Sequence, residues 1–251
     1  LDFFYNTVTR RYEKGKTMMN WWNYTIGSGL AIQPMLVLGY DILPYEYIEK
    51  YCERFLYSPH QMDSGLVTGT NGVWYAMNAF YKGVLTENED ELTEAINIIR
   101  NMMKIQDETT HLGGVVASPS NEGMQTDYSF HQHGAKYYAN YSNGFLDFIK
   151  VSTFLYGTKY EMTDMFDTVI NGIVDGWVYV YHRNMLDANQ HGRVIASPGA
   201  GGILLTEDTD LGDAYWAVAL QQLAKLYPKR ADECLEYSKY FLSPANKDAK
   251  V

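Results

Sequence analysis

The chain has 251 residues, of which 46% are hydrophobic and 20% charged, a composition that is typical of folded globular proteins and excludes a disordered chain. Its formal net charge of −10 argues against a nucleic-acid partner, because such proteins present broad basic surfaces. The sequence has no apolar run of the length that a membrane span needs, so no membrane partner is expected. The first residue is Leu1 and no signal-peptide pattern follows it, which predicts a processed product or one domain of a longer polypeptide.

Apolar residues recur at steps of three and four along most of the chain, a spacing that predicts helices. The longest stripe comprises Met162, Met165, Phe166, Val169, Ile170, Ile173, Val174 and Trp177, and a later one comprises Leu211, Ala214, Tyr215, Val218 and Leu226. Together the stripes and the breaks between them predict helices at 1–12, 28–40, 44–56, 70–83, 88–105, 142–156, 161–181, 209–226 and 229–242. Strand alternation is nearly absent, with a short hairpin in residues 192–205 at most. The sequence therefore predicts an all-α fold.

The connections between these helices alternate between short and long. The long ones are residues 13–27, 57–69, 106–141 and 182–208. In consecutive antiparallel helices every second connection emerges at the same end, so all the long loops are expected on one face. Loops of this length are usually functional. We therefore predict one domain over residues 1–251, an incomplete (α/α) toroid of helical hairpins with its site on the face of the long loops.

The first two long loops contain aromatic and amide side chains. Asn20, Trp21 and Trp22 stand together, and adjacent Trp residues cannot both join one packing stripe of a helix. The pair is interpreted either as a platform that stacks on sugar rings or as packing of the loop onto the helices. Asn71 stands at a predicted helix start in Thr-Gly-Thr-Asn, where it serves either as a cap or as an amide that binds an anionic or carbonyl group.

The third and fourth long loops contain basic and titratable groups. His131 and His133 flank Gln132 and precede a Tyr-rich stretch, which suits general acid–base chemistry. The same histidines are alternatively metal ligands or ordinary hydrogen-bonding residues, and no Cys or acidic partner stands at telling spacing. Arg193, beside a glycine, is a candidate anion clamp or a surface ion pair.

These segments resemble polysaccharide lyase family 8, which includes hyaluronate, chondroitin AC and xanthan lyases. Asn20-Trp21-Trp22 with Ile26-Gly27 is similar to the family's Asn-Trp-Trp-x-x-x-Ile-Gly segment, and residues 68–71 are similar to its Thr-Gly-Ala-Asn turn. Residues 127–134 resemble its Asp-(Gly/Tyr)-Ser-(Phe/Tyr)-x-Gln-His segment, and residues 192–195 resemble the start of Gly-Arg-x-Ile-Ser-Arg. The four motifs occur in the family's order, and its α/α toroid agrees with the loop pattern.

The resemblance implies β-elimination on an anionic, uronic-acid polysaccharide, without a metal or organic cofactor. In that reaction Asn71 would bind the uronate carboxylate, His133 would act as neutraliser or base, and Tyr141 would exchange protons with C5 and the leaving oxygen. Tyr138 is the rival for that last role. Arg193 would favour the phenolate, since an ordinary Tyr has a pKa of about 10 and is a poor base at neutral pH.

The resemblance also implies substrate contacts, further domains and a location. The contacts would come from Asn20, Trp21, Trp22, Gln132 and Tyr138. The family's helical domain is followed by β-sandwich domains, and its action on polymers implies a secreted or periplasmic protein.

Two other functions stay open at the level of sequence. One is a non-catalytic or degenerate lyase-like protein that only binds glycans. The other is an α/α-toroid glycoside hydrolase that uses two carboxylates, for which Asp127, Glu122 and Asp213 are available without forming a recognisable acid pair.

Overall fold

The computed structural model describes residues 2, 6, 21–59, 68–106, 122–132, 135–136, 143–183, 185–187 and 214–243. Helices dominate these residues, so the predicted all-α fold class is confirmed. The α-helices are α1 (Ser28–Gly39), α2 (Tyr45–Phe55), α3 (Gly69–Leu85), α4 (Glu89–Met102), α5 (Asn143–Leu155), α6 (Phe166–Asn171), α7 (Ala214–Leu226) and α8 (Ala231–Leu242). The predicted helix at 1–12 falls outside the described residues except for Asp2 and Asn6. None of the described helices has both the length and the apolarity that a bilayer crossing needs.

The chain divides into two compact units. Unit 1 comprises Leu1–Asp63 and Trp74–Asn97, and unit 2 comprises Ser64–Val73 and Ile98–Val251. Helix α3 begins in unit 2 and continues into unit 1. The prediction of one toroid domain over residues 1–251 stays a prediction.

The core of unit 1 is built by residues at helical spacing on α1 and α2. Its buried side chains are Ile32, Leu36, Ile48, Tyr51, Cys52, Phe55, Leu56 and Leu85. Burial raises the pKa of the Cys52 thiol to about 12, so Cys52 is a neutral packing residue rather than a thiolate nucleophile. Helix α4 begins on a side-chain cap, because the Asn88 carboxamide oxygen accepts the Glu91 N–H at 3.1 Å.

Residues 21–27 are helical, so the prediction of a loop over 13–27 is wrong for this stretch. Asn23–Gly27 forms a π-helical turn that leads directly into α1. The wide turn is stabilised by Asn78 of α3, whose side-chain nitrogen donates to the carbonyls of Thr25 and Ile26 at 3.3 Å each. The sequence spacing did not reveal the helix, because seven residues are too few to show an apolar period and the stabilising partner is distant along the chain.

The apolar stripe of residues 162–177 is confirmed, and all eight of its side chains are buried in unit 2. The segment is not one regular helix, however. A 3₁₀ turn (Thr163–Met165) precedes α6, and a π-helical turn (Gly172–Gly176) and a second 3₁₀ turn (Trp177–Val180) follow it. Trp177 packs with Phe130, Phe145, Trp216 and Tyr181 at ring-centroid separations of 5.3 to 6.5 Å. Many of the aromatic residues in the composition therefore fill this core.

Helix α7 presents a different face to the core from the one that the sequence predicted. Tyr215 and Val218 were expected in the buried stripe, but they are exposed, whereas Trp216, Leu220 and Leu223 are buried. The prediction was wrong because it omitted Trp216, whose large ring determines which face packs inward.

Among its described residues, unit 2 contains five short strands that the sequence did not predict. β1 (Gly123–Met124), β2 (Phe130–Gln132) and β3 (Ala135–Lys136) form an antiparallel sheet in which Gly123 lies opposite His131, and Gln132 lies opposite Ala135. β4 (Tyr181–His182) pairs with β5 (Met185–Leu186). The hairpin predicted within residues 192–205 lies outside the described residues. The small sheet matters for function because it carries Gln132 to the start of α3.

Candidate active site

The start of α3 is a tight turn that requires glycine. Gly69 has a φ of +52°, a left-handed conformation that side chains other than glycine rarely adopt. A Cβ atom at this position would also lie 2.2 Å from the Gln132 side-chain oxygen. The Thr-Gly-Thr-Asn motif thus allows a side chain from β2 to approach the helix backbone.

Gln132 caps α3 from a strand 62 residues away. Its Oε1 accepts the Thr70 backbone N–H at 3.0 Å, one of the first-turn donors that has no partner within the helix. Its Nε2 donates to Glu122 Oε2 at 2.5 Å, and the Thr68 hydroxyl donates to the same carboxylate oxygen. The cap predicted at this helix start therefore exists, but Gln132 supplies it rather than Asn71.

Asn71 lies in the first turn of α3 and is 2% exposed. Among the described residues, no hydrogen-bond donor is in place for its buried Oδ1. A buried amide with unused hydrogen-bonding capacity is costly, and such groups occur where a ligand completes the bonding. Rotation about the Cβ–Cγ bond exchanges the oxygen and the nitrogen with little change in shape, so the same position can present a donor to a carboxylate.

Tertiary packing, in addition to the Gln132 hydrogen bond, holds the turn at Thr70, the residue before Asn71. Thr70 is fully buried, and a Cβ atom at Gly144, near the start of α5, would lie 2.7 Å from its hydroxyl oxygen. Thr70 is therefore confined between β2 and α5, and the backbone on either side of Asn71 is held by tertiary contacts.

The Trp pair lies in unit 1 on the helical stretch before the π-turn. Trp21 and Trp22 are both half-buried, whereas Trp74, Trp177 and Trp216 are buried. Trp22 meets Trp74 edge to face, with ring centroids 5.7 Å apart. Both predicted platform residues therefore keep partly accessible surfaces, while the remaining tryptophans serve as core residues.

Five of the predicted site residues lie outside the described residues: Asn20, His133, Tyr138, Tyr141 and Arg193. Their predicted roles stay predictions. Of the other four, Asn71 and Gln132 are brought together at the start of α3. The direct substrate contact predicted for Gln132 is untested, but its buried side chain already bonds to protein at both ends.

A hydrogen-bonded chain beside this site was not predicted from the sequence. The Asp127 carboxylate accepts from the Ser129 hydroxyl at 2.6 Å and from its N–H at 3.0 Å, and Ser129 Oγ lies 3.0 Å from His131 Nε2. The spacing of Asp127, Ser129 and His131 at alternate positions was the available signal. Because the Ser129 hydroxyl directs its own proton to Asp127, its oxygen can accept a hydrogen bond from His131 when Nε2 carries the hydrogen. This bond fixes the orientation of the imidazole.

The contacts of Asp127 and Glu122 also bear on the alternative function, a glycoside hydrolase that uses two carboxylates. Asp127 and Glu122 both hold neighbouring protein groups in place, and Asp213 lies outside the described residues. Within the described part of the chain, no three His, Cys, Asp or Glu side chains form a group suited to a metal ion.

The helical fold and the motifs are those of the helical domains found in polysaccharide lyases. Residues 1–209 match the model of the polysaccharide lyase family 8 N-terminal alpha-helical domain, and the chain belongs to this family. It is 27% identical over 201 residues to a hyaluronate lyase of Thermasporomyces composti, covering 75% of this chain and 23% of that protein. It is 25% identical over 196 residues to a chondroitinase-AC of Pedobacter heparinus, covering 74% and 25%.

Comparison of this structure with solved structures also identifies polysaccharide lyases. A chondroitinase AC lyase solved in enzyme–oligosaccharide complexes superposes with a TM-score of 0.71 at 21% identity, over 91% of this chain and 31% of that one. The chain thus spans about a quarter of the length of the curated relatives named above.

Proposed function

We propose that this chain is the catalytic helical domain of a lyase that cleaves a uronic-acid polysaccharide by β-elimination. The observation that carries the proposal is the buried Asn71 amide with its unused hydrogen-bonding capacity, held on a fixed turn in a family 8 domain. Relatives named as hyaluronate lyase and chondroitinase-AC support hyaluronan and chondroitin as the first polymers to test.

The reaction needs a way to hold negative charge beside a group that is already anionic. A base removes the C5 proton, the electron pair of that C–H bond forms the C4=C5 double bond, and the C4–O4 bond breaks as O4 takes a proton. Charge develops on the uronate carboxylate during this step. A buried amide donor from Asn71 would stabilise that charge more strongly than water does, because it is already oriented and little exposed.

The proton transfers are assigned from the family resemblance. His133 and Tyr141, or Tyr138 in place of Tyr141, would move the protons, and Arg193 would favour the phenolate. The half-buried rings of Trp21 and Trp22 are proposed to stack on sugar rings. We also propose that the domain works within a longer polypeptide that includes β-sandwich domains, and that the protein acts outside the cytoplasm, where such polymers occur.

The test is the appearance of an unsaturated uronate, which absorbs in the ultraviolet, when the longest polypeptide that carries this chain is mixed with hyaluronan or chondroitin. We expect Asn71→Ala to lower kcat by about 10²–10³-fold, the usual effect of removing one oriented donor. Asn97→Ala, on the exposed face of α4, is the matched control and should leave the rate unchanged.

Three results would contradict the proposal in different ways. Saturable binding of these polymers without any unsaturated product would favour the glycan-binding alternative. Release of ordinary reducing sugar would favour a hydrolase. An Asn71→Ala variant as active as the parent would remove Asn71 from the mechanism.

A further inference from the structure

We infer that Glu122 and Gln132 are positioning residues for Asn71. Together with Thr68 and Thr70 they form a set of side chains and backbone that we call the clamp. The inference rests on the proposed function, since Asn71 is the group that they would position for chemistry. It assigns Gln132 a role inside the protein instead of a contact with sugar.

The clamp is a closed circuit of hydrogen bonds around the turn at Gly69. Thr68 donates its hydroxyl proton to Glu122 Oε2, Gln132 donates to the same oxygen at 2.5 Å, and Gln132 in turn accepts the Thr70 N–H at 3.0 Å. The circuit joins the residue before α3, the first turn of α3, strand β2 and the residue immediately before β1. Asn71 directly follows Thr70, whose N–H is part of the circuit.

The bonding fixes which way the Gln132 amide points. Its oxygen faces an N–H donor and its nitrogen faces a carboxylate, so the reversed orientation would lose both bonds. Gln132 is 0% exposed, and neither end of its amide is turned to solvent. Pairing of Gly123 with His131 and of Met124 with Phe130 brings the strand that follows Glu122 alongside the strand that ends at Gln132.

The position of an oriented donor decides what it contributes. An amide displaced by about 1 Å from the charge that it stabilises can lose on the order of 10²-fold in rate. A clamp on the residue immediately before Asn71 limits such displacement. We therefore expect damage to the clamp to lower kcat while KM changes little, because the positioned donor acts mainly on developing charge.

The chain offers an exchange experiment. In the double variant Glu122→Gln/Gln132→Glu, the carboxylate moves to position 132 and the amide to position 122. The clamp can then form again with one bond reversed. The new amide nitrogen takes the place of Glu122 Oε2 and donates both to the new carboxylate and to the Thr68 hydroxyl oxygen, and the carboxylate accepts the Thr70 N–H.

The two single variants affect the circuit to different degrees. Gln132→Glu places two carboxyl groups within hydrogen-bonding distance, so that at neutral pH they repel each other and on acidification they share one proton. We expect this variant to lose about 10-fold or more in kcat at neutral pH, a coupling of the size found for neighbouring polar groups. Its rate relative to the parent should rise as the pH falls. Glu122→Gln keeps the circuit, because its amide oxygen can take the place of Oε2 and accept from both Thr68 and Gln132, so this variant should show a smaller loss.

The exchange is measured in the longest polypeptide that carries the chain, by formation of unsaturated uronate over a range of pH. The expected result is that the double variant returns to within about threefold of the parent, far above the product of the two single effects. Gln222→Glu and Glu236→Gln, on exposed faces of α7 and α8, repeat the same changes of charge and should leave the rate unchanged. A Gln132→Glu variant at the parent rate, or a double variant that is no better than Gln132→Glu or does not fold, would overturn the inference.

A second measurement keeps this inference separate from the proposed function. In the same polypeptide, the NMR signals of the Asn71 side-chain amide and the hydrogen exchange of the Thr70 N–H report on the clamp without any substrate. Both should change in Gln132→Glu and return in the double variant. If the parent forms no unsaturated product, the proposed function fails and these signals alone decide: unchanged Asn71 signals in Gln132→Glu would overturn the clamp.

Discussion

At the scale of single residues, two buried tyrosines of unit 1 differ in one respect that can be measured. Tyr75 and Tyr51 are both 0% exposed, but only Tyr51 has a partner, donating its hydroxyl proton to Asp2 at 3.0 Å. Among the described residues the Tyr75 hydroxyl meets no partner, and burial raises its pKa. A buried polar group without a bond costs free energy, whereas one with a bond does not.

Replacing each of these tyrosines with phenylalanine should therefore change the free energy of unfolding in opposite directions. We expect Tyr75→Phe to raise the free energy of unfolding by about 1 kcal/mol and Tyr51→Phe to lower it by about 1 kcal/mol. Urea denaturation of both variants measures the difference. Equal destabilisation of the two variants would mean that the Tyr75 hydroxyl has a partner that the described residues do not include.

Asn71 and Gln132 illustrate what the sequence can and cannot predict about the candidate site. Asn71 was predicted because its motif is local: Gly69 and Thr70 stand beside it, and a glycine is required there by a positive φ. The cap by Gln132 could not be predicted, since it joins residues 62 positions apart and depends on which face of a short strand turns inward. Local conformation is encoded nearby in the sequence, whereas pairing of buried polar groups is a property of the folded chain.

At the scale of elements, the π-helical turn before α1 depends on one side chain of α3. The buried Asn78 accepts from Gln33 at 2.6 Å and donates to the carbonyls of Thr25 and Ile26. We expect Asn78→Leu to lower the free energy of unfolding by about 2 kcal/mol, because it leaves the Gln33 amide nitrogen without its buried acceptor and removes the donor to two carbonyls of the turn. It should also change the near-ultraviolet circular dichroism, as Trp22 immediately precedes this turn.

The control for Asn78→Leu is Asn97→Leu, which makes the same change on the exposed face of α4. It should leave both the stability and the tryptophan signal nearly unchanged. A near-ultraviolet spectrum of Asn78→Leu identical to that of the parent would show that the π-helical turn keeps its shape without the asparagine.

The helices were predictable because a repeated apolar period carries the signal over many residues. The eight buried side chains of residues 162–177 show this, even though the backbone there passes through 3₁₀, α and π turns. These turns differ in their hydrogen bonds but still bury one side, so the apolar period could not distinguish them. The strands β1 to β5 contain two or three residues each, too few for alternation to be recognised.

At the scale of the whole molecule, composition limited the protein class but did not indicate which aromatic residues are candidates for sugar stacking. The 22 Tyr, 5 Trp and 10 Phe suggested either sugar stacking or core packing. In unit 2 the aromatic residues pack on one another around Trp177 and Trp216, so the second explanation accounts for many of them. Identification of a stacking residue therefore depends on partial exposure, as at Trp21 and Trp22, and not on aromatic content.

The acid stability of the whole chain should depend on a cluster that joins α6 to the connection between α7 and α8. Burial alone would raise the pKa of Asp167, but hydrogen bonds from Tyr227 at 2.9 Å and Lys229 at 3.2 Å, with the charges of Lys229 and Arg230, outweigh it and lower the pKa. A carboxylate whose pKa is lowered by folding stabilises the fold above its unfolded pKa of about 3.9, and this contribution disappears as the pH falls through the folded pKa.

Asp167→Asn should therefore lower the free energy of unfolding near pH 7, by less than about 1 kcal/mol because water screens a side chain that is 46% exposed. The difference from the parent should disappear as the pH falls below the lowered pKa of Asp167 in the folded state, where Asp167 is protonated in both states. Urea denaturation at several pH values measures this, with the exposed Asp41→Asn as the matched control. A difference that stayed constant across the pH range would show that Asp167 acts through packing rather than through its charge.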